Sequence, residues 1–88
     1  MEQPETLLEF PCDFPIKIVG LAHSDFLSTM VEIVSRHAPD FDAATVTQKT
    51  SSGGKYVSLT CTVNATSKLQ LDDLYRELSA HSMTSAVL

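Results

Sequence analysis

The side chains that could carry chemistry in this 88-residue chain are two cysteines, three histidines and two close pairs of carboxylates. Cys12 and Cys61 are far apart and make no C-x-x-C spacing, so no soft-metal clamp is written locally. In the absence of a secretion signal they read as reduced thiols, and Cys61 falls on the core-facing parity of its segment. His23, His37 and His81 are equally dispersed, and each reads as a partly exposed surface histidine rather than a ligand. Asp72-Asp73 opens a helical pattern, where carboxylates favour the dipole, while Asp40 and Asp42 sit in a loop. Solvated charge accounts for both pairs better than acid–base catalysis does. No serine or cysteine sits in a recognisable elbow beside an oriented base. Ser51-Ser52-Gly53-Gly54-Lys55 has the composition of a phosphate cradle, but it runs into a strand rather than a helix N-terminus and so reads as a hairpin turn. These residues point away from an enzyme and away from any bound cofactor or metal. A binding or regulatory module is the expectation.

Charge and hydropathy narrow the class of partner. The net charge is −5. Its six basic residues, Lys17, Arg36, Lys49, Lys55, Lys68 and Arg76, are scattered along the sequence, which argues against a nucleic-acid surface built on clustered cations. No run approaches the roughly 18 apolar residues that a membrane span needs. Met1-Glu2-Gln3-Pro4-Glu5 is acidic and lacks the basic start and apolar stretch of a signal peptide, so the expected compartment is the cytoplasm. Asn64-Ala65-Thr66 matches the glycosylation sequon, a chance match without secretion.

The elements that must position any site follow from periodicity. Residues 1–12 read as an N-terminal arm in which Leu7, Leu8 and Phe10 could tuck against the rest, with Pro11 preventing a helix; residues 13–88 form one domain. Phe14 to Val19 alternates, with Phe14, Ile16 and Ile18 on one side and Lys17 on the other, and Gly20 ends that strand. Ser24 or Asp25 caps a helix whose stripe is Leu27, Met30, Val31 and Val34, widened by Phe26 and Ile33. Pro39 stops it, leaving Arg36 and His37 in the last turn. Ala44 to Thr50 is a weaker, threonine-rich strand suited to an edge, turned by Ser51 to Gly54 into the clearest strand, Tyr56 to Asn64. There Val57, Leu59, Cys61 and Val63 point one way and Tyr56, Ser58, Thr60 and Thr62 the other. Ser67 opens a second helix with a capping box to Gln70, and Leu71, Leu74, Tyr75 and Leu78 form its stripe. Met83 to Leu88 is compatible with a last strand.

The order is strand, helix, strand, strand, helix, strand. Both helices have one apolar face, so both cover one face of the sheet. Right-handed crossovers then give an α+β, ferredoxin-like βαββαβ sandwich with antiparallel strand order 4-1-3-2. Such a superfold does not define function. Tyr56 is the only aromatic on the open face of the third strand, which does not suit the stacked aromatics of RNA recognition.

Over nearly its full length the chain resembles the YbeD family of small, poorly characterised bacterial cytoplasmic proteins. The resemblance rests on Leu7-Leu8-Glu9-Phe10-Pro11, Phe14, Lys17-Ile18-Val19-Gly20, Arg36-His37-Ala38-Pro39, Gly54-Lys55-Tyr56, Leu74-Tyr75-Arg76-Glu77-Leu78 and Val87-Leu88. It implies the same ferredoxin-like fold, similar to ACT regulatory domains, which bind small metabolites, often amino acids, usually at a domain interface. It also implies a link to lipoate or amino-acid metabolism. ACT domains of the amino-acid-binding kind carry a glycine-containing turn between first strand and first helix, here Gly20 to Leu27, although Phe26 stands where the glycine at the helix start is usual.

Two kinds of function are therefore expected. One is a regulatory or adaptor module acting on a protein partner through Arg36, His37, Lys55 and Tyr56. The other is an ACT-like metabolite sensor with a ligand loop at Gly20, His23 and Ser24. Either state, monomer or homodimer, fits a polar edge strand.

Overall fold

The computed structural model describes residues 9–88. Its elements are β1 (Cys12–Leu21), α1 (Phe26–His37), β2 (Thr47–Thr50), β3 (Tyr56–Ala65), α2 (Lys68–Ala80) and β4 (Thr84–Val87), with one 3-10 turn at Ala43–Thr45. The four strands form one antiparallel sheet in the order β2-β3-β1-β4. This is the ferredoxin-like arrangement that the periodicity predicts.

Alternation along β1 and β3 divides the sheet into two unlike faces. Ile16 and Ile18 of β1 and Val57, Leu59, Cys61, Val63 and Ala65 of β3 face the helices and are buried. They pack on Phe26, Met30, Ile33 and Val34 of α1 and on Leu71, Leu74 and Leu78 of α2. Each such side chain contributes about 1.5–3 kcal/mol when fully removed from water. The other face of the sheet carries no layer among the described residues.

The structure differs from expectation in four places. The stripe of α1 is centred on Phe26, Met30, Ile33 and Val34, while Leu27 is 41% exposed, because Phe26 and Ile33 rather than Leu27 point at the sheet. Asp25 holds the N-cap position of α1, but its side chain makes no capping bond. Instead the Asp25 amide donates to His23 Nδ1 at 3.0 Å. The strand expected from Ala44 starts only at Thr47, and Ala43–Thr45 form a 3-10 turn, because the Asp42 carboxylate accepts from the Ala44 amide at 3.0 Å and bends the chain. Half of the capping box of α2 is displaced. Ser67 accepts from the Gln70 amide at 3.1 Å as expected, but Gln70 Oε1 accepts from the Thr66 amide at 2.6 Å rather than from Ser67.

β1 begins at Cys12, one residue inside the expected arm, and Phe10 packs half-buried against the core. Leu7 and Leu8 lie outside the described residues.

Candidate functional site

The four residues expected to form one surface do not come together. Arg36 and His37 close α1 and are both turned toward α2, where Glu77 receives them. Arg36 Nη2 is 2.6 Å from Glu77 Oε2, and His37 Nε2 donates to Glu77 Oε1 at 2.7 Å. Hydrogen bonds from His37 and Arg36, with the charge of the two side chains, hold the Glu77 carboxyl below its ordinary range. Gln70 completes the clasp by donating to the His37 carbonyl at 2.9 Å, one of the carbonyls a helix end leaves without an intrahelical partner. Arg36 and His37 thus tie the two helices together.

Lys55 and Tyr56 are at the opposite end of β3 and on the opposite side of the sheet. The Lys55 ammonium lies 5.7 Å from the centroid of the Tyr56 ring, within cation–π range. The hairpin that places them is held by Ser51, whose hydroxyl accepts from the Tyr56 amide at 3.0 Å and whose amide donates to the Tyr56 carbonyl at 2.8 Å. Gly54 completes the turn at φ +73°, a conformation that side chains disfavour.

The loop expected to hold a metabolite is filled from within. Gly20 is buried, and a Cβ there would clash with the Met83 carbonyl oxygen and lie 2.7 Å from Cζ of Phe26. The Phe26 ring therefore occupies the space beside Gly20 that an amino-acid ligand would need. His23 spends Nδ1 on the Asp25 amide, and both His23 and Ser24 are exposed.

What the fold does assemble is the open face of the sheet. Lys17 pairs with Thr60, and Lys49 with Ser58, so the two lysines flank β3 from either side with small hydroxyl side chains between them. Val19 and Leu21 of β1 share that face with Tyr56, as alternation from Lys17 requires. Leu88 exchanges two backbone bonds with Lys17, at 3.1 and 2.8 Å, which puts Leu88 there as well. Leu21 is 52% exposed, Tyr56 40% and Leu88 68%. Two shallow hollows of about 200 and 220 Å³ run over this surface and share Lys17, Lys49 and Ser58; the first ends against Val19 and Tyr56.

The cations of the two faces differ in their partners, although the open face also carries the carboxylate of Asp13 at the far end of β1. Arg36, Lys68 and Arg76 each have a carboxylate partner, Glu77, Asp72 and Asp73, all on or beside the helices. Lys17, Lys49 and Lys55 have no carboxylate within 4.0 Å among the described residues. Sequence reasoning had Lys55 and Tyr56 but missed Lys17 and Lys49 as members of the same surface. The signal was present: Lys17 has the outward parity of its strand, and counting back from Tyr56 through the hairpin brings Lys49 to the same face.

The remaining reactive groups are occupied locally. Cys61 is a free, fully buried thiol, and burial pushes its pKa up to about 11. His81 Nδ1 accepts from the Met83 amide at 3.1 Å, as His23 does from Asp25. Both histidines brace turns.

A two-layer α+β domain with an open, partly apolar sheet face defines the class, a ferredoxin-like module. Within that class the chain belongs to the family described as "Protein of unknown function (DUF493)", whose model matches residues 5–88 and which is the YbeD-type family. It is 50% identical to a UPF0250 protein of Janthinobacterium sp. over 100% of this chain and 97% of that protein. It is 51% identical to a UPF0250 protein of Bordetella pertussis over 96% of this chain and 92% of that protein. Among solved structures, protein HP0495 from H. pylori superposes with a TM-score of 0.75 over 92% of this chain and 85% of that one. At 13% identity this likeness concerns the fold alone.

Proposed function

We propose that the protein is a non-catalytic interaction module of the cytoplasm that works through the open face of its sheet, at Lys17, Lys49, Lys55 and Tyr56. The observation that carries this reading is where the cations without a carboxylate partner lie. In a chain of net charge −5, the three cations without a carboxylate partner among the described residues gather here, Lys17 and Lys49 on the open face and Lys55 reaching from the hairpin over the Tyr56 ring, beside half-buried Val19 and exposed Leu21 and Leu88. An apolar surface with a basic rim that no described residue covers favours an occupant, because covering it removes apolar area from water. Arg36 and His37 serve the helix pair and leave the proposed surface.

A metabolite sensor at the Gly20 loop has the Phe26 ring against it. Should the occupant be a small acid, such as an amino acid or a lipoate-related acid, the lysines of the sheet face are the groups that suit its carboxylate.

The test is affinity capture from the native host with the unaltered chain, Tyr56→Ala, Lys49→Ala and Arg36→Ala. Loss of the captured set with the first two variants and its retention with the third is expected. A captured set that ignores Tyr56 and Lys49 sinks the reading. A thermal-shift panel of amino acids and lipoate-related acids runs beside it, and saturable stabilisation that Lys49→Ala removes assigns the face to a metabolite instead.

A further inference from the structure

We infer that the occupant of the open sheet face is an acidic segment of a partner protein, with carboxylates set around one or two large apolar side chains. The inference rests on the proposed function above and names the chemistry of its partner.

Charge complementarity comes first. Lys17 and Lys49 flank β3 across a floor of Ser58, Thr60 and Thr47, and Lys55 stands over Tyr56 at the end of that trough. An occupant that satisfies three separated ammonium groups needs carboxylates spread over the width of several strands, each about 4.8 Å apart. A single small acid carries too few. Shape agrees with this. Sites for small molecules bury roughly 70–90% of the ligand, whereas the hollows of about 200 and 220 Å³ here are open troughs on a sheet. Val19, Leu21, Tyr56 and Leu88 supply the apolar area for a partner's Leu or Phe.

The same features argue against two other occupants. A second copy of the chain in a two-fold interface would supply the same face to both sides, and on the open face of β1, β2 and β3 the one carboxylate available to three lysines is Asp13. The lysines left over would lose water without gaining a partner. Nucleic acid would meet a chain of net charge −5 and one stacking aromatic, Tyr56, on the central strands' open side.

The experiment is an amide NMR titration of the isotope-labelled chain at about 50 mM salt with three probes. They are a pool of short peptides of Asp and Glu with Leu or Phe at varied spacing, the same pool with Lys for each acid, and a single-stranded oligothymidine. The acidic pool is expected to move the amides of Lys17, Val19, Lys49, Tyr56 and Ser58 and to weaken about tenfold when salt rises to about 300 mM. Lys17→Glu and Lys49→Glu, whose other amides show that they fold, should each weaken it about fivefold or more. Equal binding of the basic pool, tighter binding of the oligonucleotide at those amides, or shifts confined to the helices overturns the inference. If capture depends on Tyr56 while the acidic pool moves nothing, the face stands as an interaction site and its acidic occupant falls.

Discussion

Gly20→Ala should be the most damaging single-carbon change in the described chain. Gly20 lies where β1 crosses the start of α1 and the beginning of β4, at a shift of register between β1 and β4. An added Cβ meets three atoms: the Met83 carbonyl oxygen, which is backbone, and Cε1 and Cζ of Phe26. Phe26 is 1% exposed, so its ring has no room to withdraw. Overpacking of a tight core costs roughly 1–3 kcal/mol, and a clash that includes backbone belongs at the upper end, about 3 kcal/mol. For a domain of this size each kcal/mol lowers Tm by about 4–8 °C, so a fall of about 12–24 °C is expected. Urea and thermal unfolding followed by circular dichroism measure it. Phe26→Leu, placed in the Gly20→Ala background, relieves the ring contact but not the Met83 contact. The pair should therefore couple by about 1 kcal/mol in a double-mutant cycle. A Gly20→Ala chain within about 0.5 kcal/mol of the parent, or strictly additive costs in the cycle, would refute the claim that Phe26 fills the expected ligand loop.

Three further predictions concern the rest of the fold. Gln70→Ala removes the acceptor of the Thr66 amide and the donor to the His37 carbonyl, and should cost about 1–2 kcal/mol in urea unfolding, more than an ordinary surface change. Glu77 has its folded pKa depressed by His37 and Arg36, so its contribution is present above the ordinary value of 4.5 and is lost as pH falls through the folded value. Stability measured from about pH 6 down to about pH 3 should therefore decline, and Glu77→Gln should flatten that decline; an unchanged slope counts against the clasp. Cys61, its pKa pushed up to about 11, should resist a thiol-specific reagent at about pH 8 in the folded chain, while half-buried Cys12 reacts first. Equal labelling of both in the native state, read by mass spectrometry, would contradict its burial.

Much of this architecture was legible in the residues because the strong periods are also the buried ones. Val57, Leu59, Cys61 and Val63 alternate in sequence and face the core in the sheet. The helix of Leu71, Leu74 and Leu78 likewise shows its stripe directly. Legibility failed where tertiary packing chose between equals. Phe26 and Leu27 are both large and apolar, and it is Phe26 that turns inward, its ring seated against Gly20. Ala43, Ala44 and Thr45 run straight into a threonine-containing stretch, but the carboxylate of Asp42 bends them first. The grouping of Arg36 and His37 with Lys55 and Tyr56 failed for a different reason. Arg36 and His37 close α1 against α2, while Lys55 and Tyr56 stand at the hairpin end of β3, a strand about 33 Å long at roughly 3.3 Å per residue. Lys17 and Lys49 were overlooked because a surface built across strands has no local signature. It appears only when the register of β1, β2 and β3 is laid out.

The central claim is that partners meet this protein on the open face of its sheet, and site-directed photocrosslinking in living cells tests it most directly. A photoreactive phenylalanine replaces Ser58, between Lys17 and Lys49 on the open face, or Ser79, exposed on α2. Neither side chain belongs to the core, so both chains should fold and accumulate alike. A discrete adduct from position 58, weakened when Lys49→Glu is added and absent from position 79, is the predicted result. Adducts from position 79 alone would place the interaction on the helices and contradict the account.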